Sequence, residues 1–212
     1  MIMRLEAKNI SFSYRKGEPV LSHVDFQVDS GETVGLTAPS GFGKSTLGKI
    51  LAGFLLPDEG DVLIDGEPVF SKEGNNRYCP VQLIFQHPEK AVDPRWRMKK
   101  ILCEAWNPPE EMIRRMGIEQ GWMNRWPAEL SGGELQRFCV LRAMSPRTRF
   151  LIADEMTTML DMITQAQIWN VVTEYAKKQE MGIVVISHER HLLNRIADRI
   201  IRLDSGRADF ID

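Results

Sequence analysis

Residues 38–46 read Ala-Pro-Ser-Gly-Phe-Gly-Lys-Ser-Thr, one residue short of the phosphate-binding pattern G-x-x-x-x-G-K-[ST]. Glycines at 41 and 43 let backbone N–H groups turn inward onto phosphate oxygens, Lys44 can reach the β and γ phosphates, and the Ser45 hydroxyl is available to Mg²⁺. A second glycine-containing run, Leu130-Ser131-Gly132-Gly133-Glu134-Leu135-Gln136-Arg137, comes much later. Ser131 and Glu134 there fit a capping box, which predicts a helix over Gly132–Ala143. Its N-terminus, with the Gly132 and Gly133 N–H groups open, carries the partial positive charge that suits a phosphate. These residues predict a chain that binds a nucleoside triphosphate.

The elements around them have to place these groups. Alternating apolar residues at Ile10, Phe12 and Tyr14, then at Val24, Phe26 and Val28, predict two antiparallel strands joined by a turn over Arg15–Pro19. Glu32–Thr37 reads as a buried strand and Ser45–Ala52 as a helix, so the phosphate loop has the strand–loop–helix setting it needs. Asp65-Gly66 marks a hairpin, and Val81–Phe85 a strand that ends at Gln86. Residues 87–130 change character: prolines at 88, 94, 108, 109 and 127, with short helical patterns at Met98–Ala105 and Glu110–Met116, predict a helical insertion. The α/β rhythm then resumes. Phe150–Ala153 is a short buried strand ending in Asp154-Glu155, Asp161 caps a helix to about Gln179, Ile183–Ser187 is a strand, Arg190–Ala197 a helix and Arg199–Leu203 a strand. Such alternation implies a mostly parallel sheet flanked by helices.

Composition narrows the classes. The 212 residues are 43% hydrophobic, enough for one large domain with a core. The net charge of −2 supplies no global field toward nucleic acid or anionic lipid, and no basic patch is expected. Apolar runs such as Gly182–Ile186 fall far below the roughly 20 residues of a spanning helix, and the N-terminal residues lack a secretory pattern, so a cytoplasmic chain is expected whose membrane association comes through a protein partner. Cys79, Cys103 and Cys139 are isolated and read as reduced structural thiols.

Taken in order, the aromatic near the start, the phosphate loop, the glutamine after a strand, Leu130-Ser131-Gly132-Gly133-Glu134, the strand ending in Asp154-Glu155 and the strand ending in His188 resemble the nucleotide-binding subunit of ABC transporters, from about Met3 to Phe210. The resemblance implies a P-loop NTPase α/β fold with an N-terminal antiparallel β subdomain and an inserted α-helical subdomain. It implies a single nucleotide-binding domain over 1–212, with residues 1–86 and 131–212 as the core and 87–130 as the insertion continuing into a signature helix over 131–144. It implies an ATPase using ATP and Mg²⁺. Asp154 would hold Mg²⁺ with Ser45, and Glu155 would be the general base. Gln86 would sense Mg²⁺ and the attacking water, and His188, an imidazole that titrates near neutral pH, would contact the γ-phosphate. Lys44, with Ser40, Gly41, Phe42, Gly43, Ser45 and Thr46, would bind the phosphates, and Tyr14, with Phe12 as its competitor, would stack on adenine. Ser131, Gly132 and Gly133 would face the phosphate loop of a second subunit, and Thr158-Met159-Leu160-Asp161 would link the two ATP sites. His23, His87 and His191 lack such placement.

Within the family, Phe85-Gln86-His87-Pro88, Val92-Asp93-Pro94-Arg95 and Arg125-Trp126-Pro127-Ala128-Glu129 are similar to the peptide and nickel importer branch, although His87 and Asp93 depart from it and the branch's C-terminal extension has no counterpart. The resemblance implies import of nickel, another metal chelate or a short peptide. The implied partners are a second ATPase subunit, identical or a sister, an integral membrane permease met by residues 86–98, and indirectly an extracytoplasmic solute-binding protein, with no nucleic acid. The implied location is the inner face of the cell membrane. Ala38, Phe42 and Met156 depart from the family pattern. A Cβ at 38 would cost on the order of 1 kcal/mol if the loop demanded positive φ there, weakening ATP binding. Two rival readings are a weakly hydrolysing regulatory subunit, motivated by Ala38 and Met156, and a non-transport ATPase acting on DNA or ribosomes, which an absent basic patch disfavours.

Overall fold

A computed structural model describes residues 2–39, 41–70, 78–204 and 207–211. Two sheets build it. Strands β1 (Arg4–Arg15), β2 (Glu18–Asp29), β4 (Glu59–Ile64) and β5 (Glu67–Pro68) form an antiparallel sheet in the order β2-β1-β4-β5. The second sheet runs β10-β9-β3-β8-β7-β6, from strands β3 (Thr33–Thr37), β6 (Val81–Ile84), β7 (Phe150–Asp154), β8 (Gly182–Ile186), β9 (Arg199–Asp204) and β10 (Arg207–Ile211). All its pairs are parallel except β9 with β10. The helices are α1 (Lys44–Leu51), α2 (Met98–Leu102), α3 (Glu110–Arg115), α4 (Gly132–Ala143), α5 (Met162–Gln179) and α6 (Arg190–Ile196).

The uninterrupted apolar runs of β7 and β8 follow from burial on both faces. Side chains alternate across the sheet, so Leu151, Ala153, Ile183 and Val185 pack into one core with Phe138, Trp169 and Met181, while Phe150, Ile152, Val184 and Ile186 pack into a second with Leu47, Ile50 and the inner face of β1 and β2. Gly48 of α1 allows the closest approach to this sheet, since a Cβ there would sit 2.8 Å from Ile186 Cδ1. In β1 the inward positions Leu5 and Ala7 give way to Ile10 and Phe12 across a register shift, where Asn9 and, opposite it, His23 adopt φ of 54° and 51°.

The expected elements recur with shorter ends. The Met98 helix stops at Leu102 rather than Ala105, with the Cys103 amide donating back to the Lys99 carbonyl. The hairpin at Asp65-Gly66 pairs Leu63 with Pro68 and Ile64 with Glu67, and Val69 adds one amide to the Val62 carbonyl without extending the strand. Residues 87–130 hold α2, α3 and short 3₁₀ turns at Pro88–Ala91, Gln120–Trp122 and Pro127–Glu129. The α4 helix starts on the expected capping box, with the Glu134 amide donating to Ser131 Oγ at 3.3 Å and the Ser131 amide to Glu134 Oε2 at 2.6 Å.

Candidate active site

Four neighbouring parallel strands bring the candidate residues together at their carboxyl ends. The phosphate loop leaves β3, His188 follows β8, Asp154 ends β7 with Glu155 next to it, and Gln86 follows β6. An open α/β sheet places ligands at this edge.

The loop into α1 is shaped by two glycines, Gly41 and Gly43, at φ of 85° and 84°. Gly43 is the N-cap of α1, and its carbonyl accepts from the Leu47 amide at 2.8 Å. Lys44 opens the helix and is buried; its Nζ donates to the carbonyls of Ala38 at 2.8 Å and Pro39 at 3.2 Å. A cation so placed is satisfied without an acid beside it, and can exchange those carbonyls for phosphate oxygens. Ala38 does not have positive φ, so the expected strain of its Cβ is not incurred, and its carbonyl serves Lys44. Phe42 is 37% exposed on the outside of the loop. Ser40 lies outside the described residues.

Ser45 Oγ donates to Asp154 Oδ1 at 3.0 Å. Burial raises the Asp154 carboxyl above its ordinary range, the nearby Glu155 charge adds to this, and the Ser45 hydrogen bond opposes it. A hydroxyl and a desolvated carboxylate, both hard oxygen donors beside a second carboxylate, fit a small divalent cation such as Mg²⁺. Glu155 is held between two partners: Gln86 Nε2 donates to its Oε2 at 2.9 Å, and His188 Nδ1 lies 3.1 Å from its Oε1. Its backbone takes φ of 46°, with its amide donating to the Ile186 carbonyl at 2.9 Å, and this turn aims the side chain back across the strand ends. Met156 is buried in the core beneath, filling with apolar volume the position where the family pattern has proline.

Tyr14 is 58% exposed, with its hydroxyl 3.2 Å from Thr46 Oγ1 at the start of α1, while Phe12 is 8% exposed and meets the Tyr14 ring edge-on. Tyr14 is therefore the ring open beside the phosphate loop.

Ser131, Gly132, Gly133 and Asp161 sit apart from this cluster. Among the described residues no hydrogen bond or ion pair joins them to Lys44, Ser45, Asp154 or Glu155; Ser131 and Gly132 are exposed, and Asp161 caps α5 by accepting from the Ile163 and Thr164 amides. Two side chains that the sequence reading quoted without a role connect the parts. Gln136, buried in α4, donates to the Phe85 carbonyl next to Gln86 at 3.2 Å. Arg137 reaches from α4 to the Met116 carbonyl, to Gln167 Oε1 at 3.1 Å and to Thr164 Oγ1 at 3.2 Å, tying α4 to the first turns of α5. Nothing in the sequence but their place in the run after Ser131 points to these contacts.

The ABC transporter family model matches residues 21–158. The nickel import ATP-binding protein NikE of Rhodospirillum rubrum is 32% identical over 226 residues, covering 96% of this chain and 82% of that protein. The nickel import system ATP-binding protein NikE of Staphylococcus aureus is 32% identical over 215 residues, covering 95% of this chain and 87% of that protein. Among solved structures, a dimeric post-hydrolysis state of the ATP-binding cassette MJ0796 bound to ADP and Pi superposes with a TM-score of 0.84 at 24% identity, over 98% of this chain and 99% of that one, a likeness of fold. With its phosphate loop, its Asp154-Glu155 pair and its sequence matched along nearly the whole chain, the protein belongs to the ABC transporter family as an ATP-binding, ATP-hydrolysing subunit resembling the nickel importer branch.

Proposed function

We propose that this subunit powers import of a small solute, nickel, another metal chelate or a short peptide, through a separate membrane permease, by ATP-dependent dimerisation and hydrolysis. The observation that carries the chemistry is Glu155 held between Gln86 and His188, next to the Ser45–Asp154 pair. Kinship with the two nickel import proteins supports the cargo class.

Lys44 gives up the carbonyls of Ala38 and Pro39 and neutralises the β and γ phosphate oxygens. Tyr14 stacks on adenine, and Thr46, Gly41, Phe42 and Gly43 supply loop contacts to the phosphates. Ser45 and Asp154, with the Gln86 side chain, would hold Mg²⁺. When bound, the ion withdraws charge from the transferring phosphoryl group. Water attacks the γ-phosphorus, the bond to the β–γ bridging oxygen breaks, ADP leaves, and Glu155 takes the proton of the water. His188 orients Glu155 and the water. Ser131 and Gly132 are exposed, Gly133 is half-buried beside them, and all three lie away from the chain's own phosphate loop, which supports their service to the ATP of a second subunit, identical or a sister. Asp161 would then sit at the seam between the two.

The domain division that fits this reading takes 1–86 and 131–212 as the ATP-binding core and 87–130 as the helical insertion. Residues 86–98 would receive the permease, and an extracytoplasmic binding protein would deliver the solute. Among the described residues no helix is long and apolar enough to cross a membrane, so placement on the inner membrane face would come through the permease. The regulatory alternative loses one motive, since Ala38 carries no backbone strain. The test is steady-state ATPase of the purified chain with and without the membrane permease it is proposed to serve. Stimulation by the permease supports transport coupling, and turnover indifferent to it contradicts this.

A further inference from the structure

A single side-chain amide of α5 ties together the two loops that carry Glu155 and His188. Gln165 Nε2 donates to Thr157 Oγ1 at 3.0 Å and to Glu189 Oε2 at 3.2 Å. Thr157 follows shortly after Glu155, and Glu189 is the residue next to His188. An amide nitrogen has two hydrogens, and both are used here. Glu189 fixes which end of the amide points this way, because a carboxylate accepts and the amide oxygen has nothing to donate.

Thr157 is the anchored end of the bridge. It is 2% exposed, and Trp169, one helical turn after Gln165 on the same face of α5, donates its Nε1 to the same Oγ1 at 3.1 Å. The hydroxyl oxygen thereby accepts twice, which fills its two lone pairs. At the other end the Glu189 amide donates to Oγ of the buried Ser187 at 3.0 Å. Gln165 itself sits in the first turns of α5, with its amide donating to the Asp161 carbonyl at 2.9 Å.

The contact that depends on these loops is an open one. The His188 side chain is 64% exposed, so packing does not hold the ring, yet its Nδ1 lies 3.1 Å from Glu155 Oε1. The bond from the Glu155 amide to the Ile186 carbonyl fixes the strand ends. The His188 backbone lies beyond that bond, where Glu189 is tethered. A misplacement of about 1 Å near reacting groups can cost about 100-fold in rate.

We propose that Gln165 is a positioning residue for ATP hydrolysis, which sets the spacing of His188 and Glu155 by bridging Glu189 to Thr157. This rests on the reading that Glu155 and His188 act on the attacking water. Among the described residues the Gln165 side chain makes no hydrogen bond to the phosphate loop, so its loss should spare ATP binding.

The experiment measures single-turnover phosphate release, with ATP affinity and melting temperature read on the same samples. The set is wild type, Gln165→Ala, Gln165→Glu, Glu189→Gln, the double variant Gln165→Glu/Glu189→Gln, and Glu155→Gln. Gln165→Ala removes both donors and should release phosphate roughly tenfold more slowly at unchanged ATP affinity. Gln165→Glu sets a second carboxylate against Glu189 and should be at least as slow. Glu189→Gln keeps an acceptor oxygen and should lose less than either. The double variant restores a donor and an acceptor with their places exchanged, and should recover most of the rate that Gln165→Glu loses. Wild-type release by folded Gln165→Ala and Gln165→Glu, a loss explained wholly by weaker ATP binding, or no recovery in the double variant would overturn the positioning claim. A slow Glu155→Gln beside fast Gln165 variants refutes that claim alone. If Glu155→Gln releases phosphate as wild type does, the reading of the site fails and the positioning claim falls with it.

Discussion

Substituting alanine for Gly43 should damage the phosphate loop more than the same change at Gly41, although their backbones are nearly alike. Both hold φ near +85°, at 84° and 85°, where an L side chain is disfavoured; that alone costs about 1–2 kcal/mol. At Gly41 a Cβ meets nothing within 4 Å, so this is the whole cost. At Gly43 it would lie 2.7 Å from Leu21 Cδ2, 3.1 Å from the Val20 carbonyl oxygen and 3.2 Å from Val20 Cγ1. Leu21 is fully buried and the carbonyl is backbone, so neither yields freely, and overpacking adds about 1–3 kcal/mol. The sum is about 1–2 kcal/mol for Gly41→Ala and about 2–5 kcal/mol for Gly43→Ala. Urea unfolding of the nucleotide-free chain reads the stability loss, and ATP titration reads the loop, where each 1.4 kcal/mol is about tenfold in affinity. Ala38→Gly completes the series: with no positive φ to relieve, it should leave ATP affinity unchanged and lower stability by about 0.4–1 kcal/mol through the unfolded chain. Equal losses at 41 and 43, or much tighter ATP binding by Ala38→Gly, would refute the reasoning.

Asp154→Asn should stabilise the nucleotide-free chain by about 0.5–2 kcal/mol while abolishing the gain in ATP affinity that Mg²⁺ provides. The sign follows from the raised pKa: the folded state holds the proton more tightly, so the buried carboxylate removes stability as pH rises from the ordinary 3.8 through the raised value, and that loss persists at pH 7. Denaturant melts across a pH series from about 3.8 to 7 should show a gap between variant and wild type that widens as pH rises. Ser131→Ala removes the α4 cap and should cost about 1 kcal/mol in urea unfolding, and should weaken ATP-driven subunit association, read by light scattering, while ATP affinity of the single chain stays as it is. Arg137→Ala breaks the ties from α4 to Met116, Gln167 and Thr164 and should cost about 1.5–3 kcal/mol in the same unfolding assay, with Arg137→Lys recovering only part of it.

Features written locally were legible in the sequence. The α4 and α5 caps are side-chain-to-backbone bonds within three residues, so Ser131, Glu134 and Asp161 disclosed the helix starts. Strands β7 and β8 were visible because burial on both faces leaves an uninterrupted apolar run. The strand ends then implied where Gln86, Asp154, Glu155 and His188 would meet, though not that Gln86 and His188 would share the Glu155 carboxylate. What depends on distant neighbours stayed hidden. The backbone angle at Ala38 is set by the surrounding loop, the Gln136 contact to Phe85 spans 51 residues, and Arg125 joins the exposed cations of Arg95–Lys100 only through backbone bonds across a turn-rich segment. Composition averaged that last cluster away, because its excess charge is balanced elsewhere in the chain.

The most direct test of the central claim is single-turnover hydrolysis of ATP by Glu155→Gln beside the wild type, with nucleotide binding measured on the same samples. Glutamine keeps an acceptor oxygen for the Gln86 amide or His188, so the fold and ATP affinity should persist. Phosphate release should fall by about 100-fold or more, as expected for loss of a general base. Phosphate release close to the wild-type rate, with ATP still bound, would remove Glu155 from that role and contradict the account.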